Sequence, residues 1–118
     1  GSLDAARRRL MDILCNYAGY RKCVPILVFD AYRVKGAGRE QETWHNLHVI
    51  YTREAETADM FIERATHELA KNHRVRVVSS DGAEQIIILG NGALRVSARA
   101  FEREVRAVEA EIREFLDQ

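Results

Sequence analysis

The spacing of apolar residues alternates along the chain between the repeat of an amphipathic helix and the continuous run of a buried strand. Residues 25–29 are all apolar and are followed directly by Asp30, a pattern typical of a short strand buried on both faces of a sheet. Before this segment, apolar residues recur at helical spacing from Leu3 to Tyr17. Because neighbouring parallel strands need a crossover, which is usually a helix, this alternation predicts a three-layer α/β domain with a mainly parallel sheet.

The same patterns predict the other elements. Thr57 is a suitable N-cap for a helix that continues to residue 72, and Ser80 or Asp81 for a short helix through residue 88. The first helix is expected to end near Gly19, which can adopt a left-handed conformation. The remaining predicted elements are strands at 48–52, 74–79 and 93–97 and a long amphipathic helix at 101–115.

The composition bounds the class of protein. With 118 residues, of which 47% are hydrophobic, the chain is predicted to form a single domain, 1–118. Lys+Arg and Asp+Glu both number 18, so the net charge is zero, which excludes a strongly basic nucleic-acid-binding composition but permits a local basic patch. No apolar run is long enough for a membrane span and no signal peptide opens the chain, so we expect a cytoplasmic protein. Two cysteines without a CxxC pattern favour reduced thiols over a disulfide.

Acidic residues occur where the predicted strands end. Asp30 ends the first strand, Glu56 and Asp59 follow the second, and Asp81 follows the third. Because ligands gather at the carboxyl ends of parallel strands, these carboxylates are candidates for one site that binds Mg²⁺ or Mn²⁺ and hydrolyses a phosphodiester. Each also has a structural alternative: Asp81 as a helix cap, Asp59 as a complement to a helix N-terminus, and Asp30 as a turn residue. The pattern alone leaves these alternatives open.

The polar segment 31–46 is predicted to be a mobile loop. It carries Arg33, Lys35 and Arg39 beside two glycines, a combination suited to contact with a phosphate backbone. The alternative is a solvated loop whose aromatic residues return to the core. Aromatic candidates for base stacking in or near this segment are Tyr32, Trp44 and Tyr51.

Several short motifs occur in a specific order over essentially the whole chain. They are Val28-Phe-Asp-Ala31, Val34-Lys-Gly36, Val49-Ile-Tyr-Thr52, Glu56-Thr-Ala-Asp59, Ser79-Ser-Asp81, Glu84-Gln85 and Leu89-Gly-x-Gly-Ala-x-Arg95-x-Ser97-Ala98. This ordered set resembles the YacP-like branch of the NYN domain family, which has a PIN-like ribonuclease fold.

The resemblance implies a metal-dependent endoribonuclease. It assigns metal binding to Asp30, Glu56, Asp59 and Asp81, catalysis to the three aspartates, and RNA contact to the loop around Lys35, with Arg33 and Arg39. The implied cofactor is Mg²⁺ or Mn²⁺. The implied partners are messenger or ribosomal RNA, the ribosome, and an upstream translation GTPase domain of the tetracycline-protection type, to which similar domains are fused.

The chain departs from the family pattern at its start. The family begins with a central strand that ends in an Asp-Gly-Tyr-Asn type motif, and this chain contains no such motif. Together with the opening Gly1-Ser2 and the lack of an initiator Met, this predicts an N-terminally truncated domain with impaired metal binding and cleavage. The gap in the sheet is expected to close by direct pairing of the flanking strands or in a homodimer.

A function of a different class stays open. The acidic site is either incomplete or decayed in this alternative, and the domain is a non-catalytic module that docks on the ribosome, on RNA or on its own GTPase. A flavodoxin-like small-molecule binder is less favoured, because no phosphate-binding glycine loop is present.

Overall fold

The computed structural model describes residues 2–30, 40–79, 84–90 and 95–118. Within these ranges the chain forms three helices and six strands. The helices are α1 (Ser2–Arg21), α2 (Ala58–Leu69) and α3 (Ala98–Leu116). The strands are β1 (Val24–Phe29), β2 (Glu40–Trp44), β3 (Leu47–Tyr51), β4 (Val75–Ser79), β5 (Glu84–Leu89) and β6 (Arg95–Ser97). In this described part of the chain, no helix combines the length and the apolarity that crossing a membrane requires.

The strands form one mixed sheet in the order β2-β3-β1-β5-β4-β6. The pairs β1–β3 and β4–β6 are parallel, whereas β5 runs antiparallel to both of its neighbours and β2 antiparallel to β3. The prediction of a mainly parallel sheet was therefore wrong. The link from β4 to β5 is too short for a crossover, which takes about a dozen residues, so these two strands have to pair antiparallel.

Helices cover both faces of the sheet, as predicted. On one face, α1 and α3 enclose a core cluster that includes Leu14, Leu27 and Phe101. On the other face, α2 packs through Ala58 and Ile62 onto a second cluster that contains Val28 and Ile87. Leu27 and Val28 are adjacent in β1 and neither is exposed, which confirms that the apolar run of this strand is buried on both faces.

Two predicted segments differ from the structure. The predicted loop 31–46 contains β2, and the predicted helix near residues 81–88 contains β5 instead. Both segments also include residues outside the described ranges, at 31–39 and 80–83. The first helix continues past Gly19 to Arg21, and Lys22 takes the left-handed conformation with φ of 55°.

β5 lies where the resemblance predicted a gap. It pairs with β1 from Glu84 to Leu89 and with β4 from Ile86 to Leu89. The strands expected to flank the missing family strand, β1 and β4, therefore do not pair directly, and neither is left with an unpaired edge towards the other. The predicted direct pairing was therefore wrong, because β5 lies between the two strands. The alternative, a homodimer, stays a prediction.

An ion pair between the buried Arg76 and the partly exposed Glu104 joins the sheet to both helices of one face. The side chain of Arg76 in β4 is 8% exposed and donates to Glu104 of α3 at 2.7 and 2.8 Å. It also donates to the Tyr17 hydroxyl of α1 at 3.4 Å, and that hydroxyl donates to Glu104 at 3.2 Å. Burial, and then the nearby Glu104 carboxylate, raise the pKa of Tyr17. The sequence does not indicate this network, because the strand pattern around Arg76 does not show which residues of other elements would face its side chain.

Both cysteines are free thiols, as predicted. Cys15 is half-buried and donates its Sγ–H to the Trp44 carbonyl at 3.3 Å, whereas Cys23 lies in the core. Burial raises the pKa of both thiols. Neither cysteine is therefore placed as an activated nucleophile.

Candidate functional site

The carboxyl ends of β1 and β3 lie side by side at one edge of the sheet. The two strands are parallel, and Phe29 is in register with Tyr51. The pairing continues one residue further, because the Thr52 amide donates to the Phe29 carbonyl at 3.0 Å. Asp30 follows Phe29 directly and is half-buried, so the first predicted site residue lies at this edge.

The turn from β3 to α2 passes the same edge and is fixed by Glu56. The Glu56 amide donates to the Arg53 carbonyl at 3.0 Å, and its carboxylate accepts from the Arg53 amide at 3.4 Å. Ala55 between them has a left-handed φ of 65°. Glu56 is 3% exposed and forms an ion pair with Arg64 in α2. The second predicted site residue is therefore engaged by protein groups within the turn.

Helix α2 begins at this edge with Asp59 in its first turn. Thr57 is the N-cap, as predicted, and its hydroxyl accepts from the Met60 amide at 3.1 Å. Ala58 belongs to the same core cluster as Val28, so the start of α2 lies over the end of β1. The start of α2, with the exposed Asp59 in its first turn, therefore lies at the end of the sheet where Asp30 follows β1.

Four predicted site residues lie outside the described ranges: Arg33, Lys35, Arg39 and Asp81. The described residues on either side of Asp81 lie at the edge that carries Asp30. Ser79 ends β4, and Glu84 pairs with Phe29 at the start of β5. The chain therefore leaves and re-enters the sheet at the candidate site on both sides of Asp81.

A second helix N-terminus lies at this edge. Ser97 is in register with Ser79 and caps α3, accepting from the Ala100 amide at 3.1 Å. Arg95 donates to the Ser79 hydroxyl at 3.4 Å. The starts of α2 and α3 both direct positive partial charge to this end of the sheet, a field that favours anionic groups such as phosphate.

Arg7 is a cationic residue of this edge that sequence analysis missed. Its guanidinium carbon lies 4.9 Å from the centre of the Phe29 ring, and Phe29 stacks on Tyr51 with ring centres 5.3 Å apart. Because α1 is joined to β1 by a short link, its N-terminal part must return to the carboxyl end of β1. The order of these elements was the signal that could have identified Arg7.

The aromatic candidates differ in position. Tyr51 lies at the edge, where its hydroxyl donates to Glu42 at 3.3 Å. Trp44 is in register with Leu47 at the amino end of β3, and its indole donates to Asp12 at 3.3 Å. Trp44 is therefore at the opposite end of the sheet from Asp30. Tyr32 lies outside the described ranges.

The described residues do not by themselves make a site for a divalent ion. Across these ranges, no three His, Cys, Asp or Glu side chains are grouped so that they could hold a metal. Asp30 and Asp59 supply carboxylates from two segments, and Glu56 is engaged by Arg64. Mg²⁺ is commonly held by one or two carboxylates together with water and substrate phosphate, so Asp30 and Asp59 are of the residue type that such a site uses.

Comparison with known proteins identifies the family. The model of the YacP-like NYN domain matches residues 1–118. The uncharacterized protein YacP of Bacillus subtilis (strain 168) is 42% identical over 112 residues, which cover 94% of this chain and 65% of that protein. The chain thus spans slightly less than two thirds of the length of this relative, and no solved structure gives a significant match. The chain belongs to the YacP-like NYN domain family, whose members are PIN-like, nuclease-type domains.

Proposed function

We propose that this domain is an endoribonuclease that depends on Mg²⁺ or Mn²⁺. The observation that supports the proposal is that β1 and β3 end side by side, with Asp30 directly after β1 and Asp59 in the first turn of the helix that follows β3, in a member of a nuclease-type family. Nucleases of the NYN and PIN type typically use divalent metals. Asp81, whose neighbours in the described chain lie at the same edge, is the third acidic residue of the proposed site.

Each group has a defined part in this proposal. Asp30, Asp59 and Asp81 provide the carboxylate oxygens, and a divalent ion held there supplies Lewis-acid stabilisation of the phosphate and activation of water. The starts of α2 and α3 favour the negative charge of the phosphodiester. Arg33, Lys35 and Arg39 meet the RNA backbone, and Arg7 is a further cationic group at this edge.

The biological setting is also part of the proposal. We propose that the substrate is messenger or ribosomal RNA, that the ribosome is a partner, and that the domain can follow a translation GTPase in a longer polypeptide. Since the 118 residues contain no counterpart of the acidic motif that ends the family's first strand, we expect this chain alone to cleave weakly.

A second candidate function is a non-catalytic module that docks on the ribosome or on RNA. Two observations favour it. The net charge of the chain is zero, and its 118 residues contain no counterpart of the acidic motif that ends the family's first strand. This candidate needs the edge only as a surface for anionic groups.

The two candidates are separated by RNA cleavage with Mn²⁺ or Mg²⁺, on free RNA and on ribosomes, by a protein extended upstream through the family's first strand and, beside it, by the present chain. The variants are Asp59→Asn and Asp81→Asn, and Glu63→Gln, an exposed carboxylate on α2, is the matched control. Cleavage that the two aspartate variants lose and the control retains is the expected result. Full cleavage by Asp59→Asn would refute the site assignment. Absent cleavage together with salt-sensitive ribosome binding would favour the docking module.

A further inference from the structure

We infer that Glu56 is a positioning residue of the proposed site and not a metal ligand. It fixes the turn between β3 and α2, and through this turn it fixes the start of the helix that carries Asp59. Only the expected effect on metal binding rests on the proposed function. The contacts of Glu56 are present in the structure whatever the function is.

Both carboxylate oxygens of Glu56 are already bound by protein groups. Oε1 accepts from the Arg53 amide at 3.4 Å, and Oε2 accepts from the Arg64 guanidinium. The Glu56 side chain is 4% exposed, whereas that of Arg64 is 56% exposed. A metal ion could use Glu56 only after displacing Arg64 from a carboxylate that is closed off from solvent.

The contact between Glu56 and Arg64 fixes the position of α2 relative to the turn that follows β3. Glu56 lies just before α2. Arg64 lies eight residues after Glu56, in the middle of the helix. The ion pair therefore ties the turn to the body of the helix. In the same turn Ala55 holds a left-handed φ of 65°, a conformation that a residue with a side chain adopts only when its surroundings impose it.

Hydrogen exchange in the absence of metal tests the positioning role directly. The reporters are the Glu56 amide, which donates to Arg53, and the Met60 amide, which donates to the Thr57 cap. We expect Glu56→Gln and Arg64→Gln each to accelerate exchange at these amides at least about 10-fold while the rates in β1 stay unchanged. Wild-type rates in both variants would overturn the inference. Circular dichroism establishes that each variant is folded.

Titration with Mn²⁺ alone separates a positioning residue from a ligand. If Glu56 positions the site, Glu56→Gln and Arg64→Gln both weaken Mn²⁺ binding, about 10-fold, as loss of an outer contact to a metal site commonly does. If Glu56 were a ligand, Arg64→Gln would strengthen binding, because it removes the cation that competes for the carboxylate. Arg53→Gln controls for the loss of one positive charge, since it removes an exposed arginine from the same turn.

The outcomes keep this inference distinct from the proposed function. Tighter Mn²⁺ binding in Arg64→Gln than in Arg53→Gln, with weaker binding in Glu56→Gln, would make Glu56 a ligand and overturn the inference. If Asp59→Asn leaves Mn²⁺ binding unchanged, the proposed function fails, while accelerated exchange in the Glu56 and Arg64 variants still supports the structural role of Glu56.

Discussion

At the scale of single residues, Arg76 shows how this small domain accommodates charge beneath its helices. Its guanidinium is almost completely buried, and Glu104 and Tyr17 supply its hydrogen-bond acceptors from two different helices. A buried cation that loses its partner is strongly unfavourable, because neither water nor another protein group replaces the lost contact. The network therefore fixes the relative placement of α1, α3 and β4.

Replacement of Glu104 by alanine tests this network. We expect Glu104→Ala to lower the free energy of unfolding by about 1–3 kcal/mol, because it leaves Arg76 buried without its carboxylate. The matched control is Glu102→Ala in the same helix, which removes an exposed pair with Arg106 and should cost only about 0.3–0.5 kcal/mol. Urea denaturation measures both values, and equal losses would contradict a special role for the pair of Arg76 and Glu104.

The pH dependence of stability tests Tyr17. Burial and Glu104 raise its pKa in the folded protein above the ordinary value of 10.0, so the neutral phenol stabilises the fold. This contribution is complete below pH 10, where Tyr17 is protonated in both states, and is lost as the pH rises towards the folded pKa. We expect the stability difference between the wild type and Tyr17→Phe to shrink above pH 10 in urea denaturation series. A difference that stays constant through this range would argue against the shift.

At the scale of elements, the sequence predicts those that have a clear apolar period. The spacing of apolar residues correctly predicted the three helices and four of the strands, β1, β3, β4 and β6. β2 was missed because Glu40–Trp44 is polar, as suits an edge strand that pairs on one side only. β5 was predicted as part of a helix, because a short apolar run fits either a buried strand or a buried helix until its neighbours are known.

Alanine substitutions along β5 test its strand conformation. Ile86 and Ile88 point into the α1–α3 core and Ile87 into the α2 core, so all three are buried in spite of being adjacent. We expect each Ile→Ala variant to lose about 2–5 kcal/mol in urea denaturation. In an amphipathic helix, three consecutive residues would not all face the core. A variant within about 0.5 kcal/mol of the wild type would therefore contradict the central strand.

At the scale of the whole molecule, the fold determines which acidic side chains are engaged by other protein groups, and a list of acidic residues does not. The strand-end rule assigned Asp30 and the segment that leads to Asp59 to the ends of two strands, and these strands, β1 and β3, are parallel and end side by side. The rule could not show that Glu56 holds the backbone of the turn. Glu56 contacts Arg64 only when α2 is folded onto that turn, and the strand ends alone do not reveal this contact. The rule also missed Arg7, which reaches the edge through the return of α1 across the sheet.

The salt dependence of RNA binding tests whether this edge is the nucleic-acid surface. The net charge is zero, so any attraction between the protein and the RNA charge must arise from local cations rather than from the overall charge. If Arg7 neutralises one phosphate, Arg7→Gln should weaken binding of single-stranded RNA. It should also reduce the slope of log K against log salt by about 0.7, the value for one contact to a single strand. The matched control is Arg103→Gln, which removes the same charge from an exposed position of α3. Fluorescence anisotropy over a range of KCl concentrations gives both slopes. An equal loss of RNA affinity in both variants would mean that binding depends on the total charge of the protein. It would contradict the assignment of this edge as the binding surface.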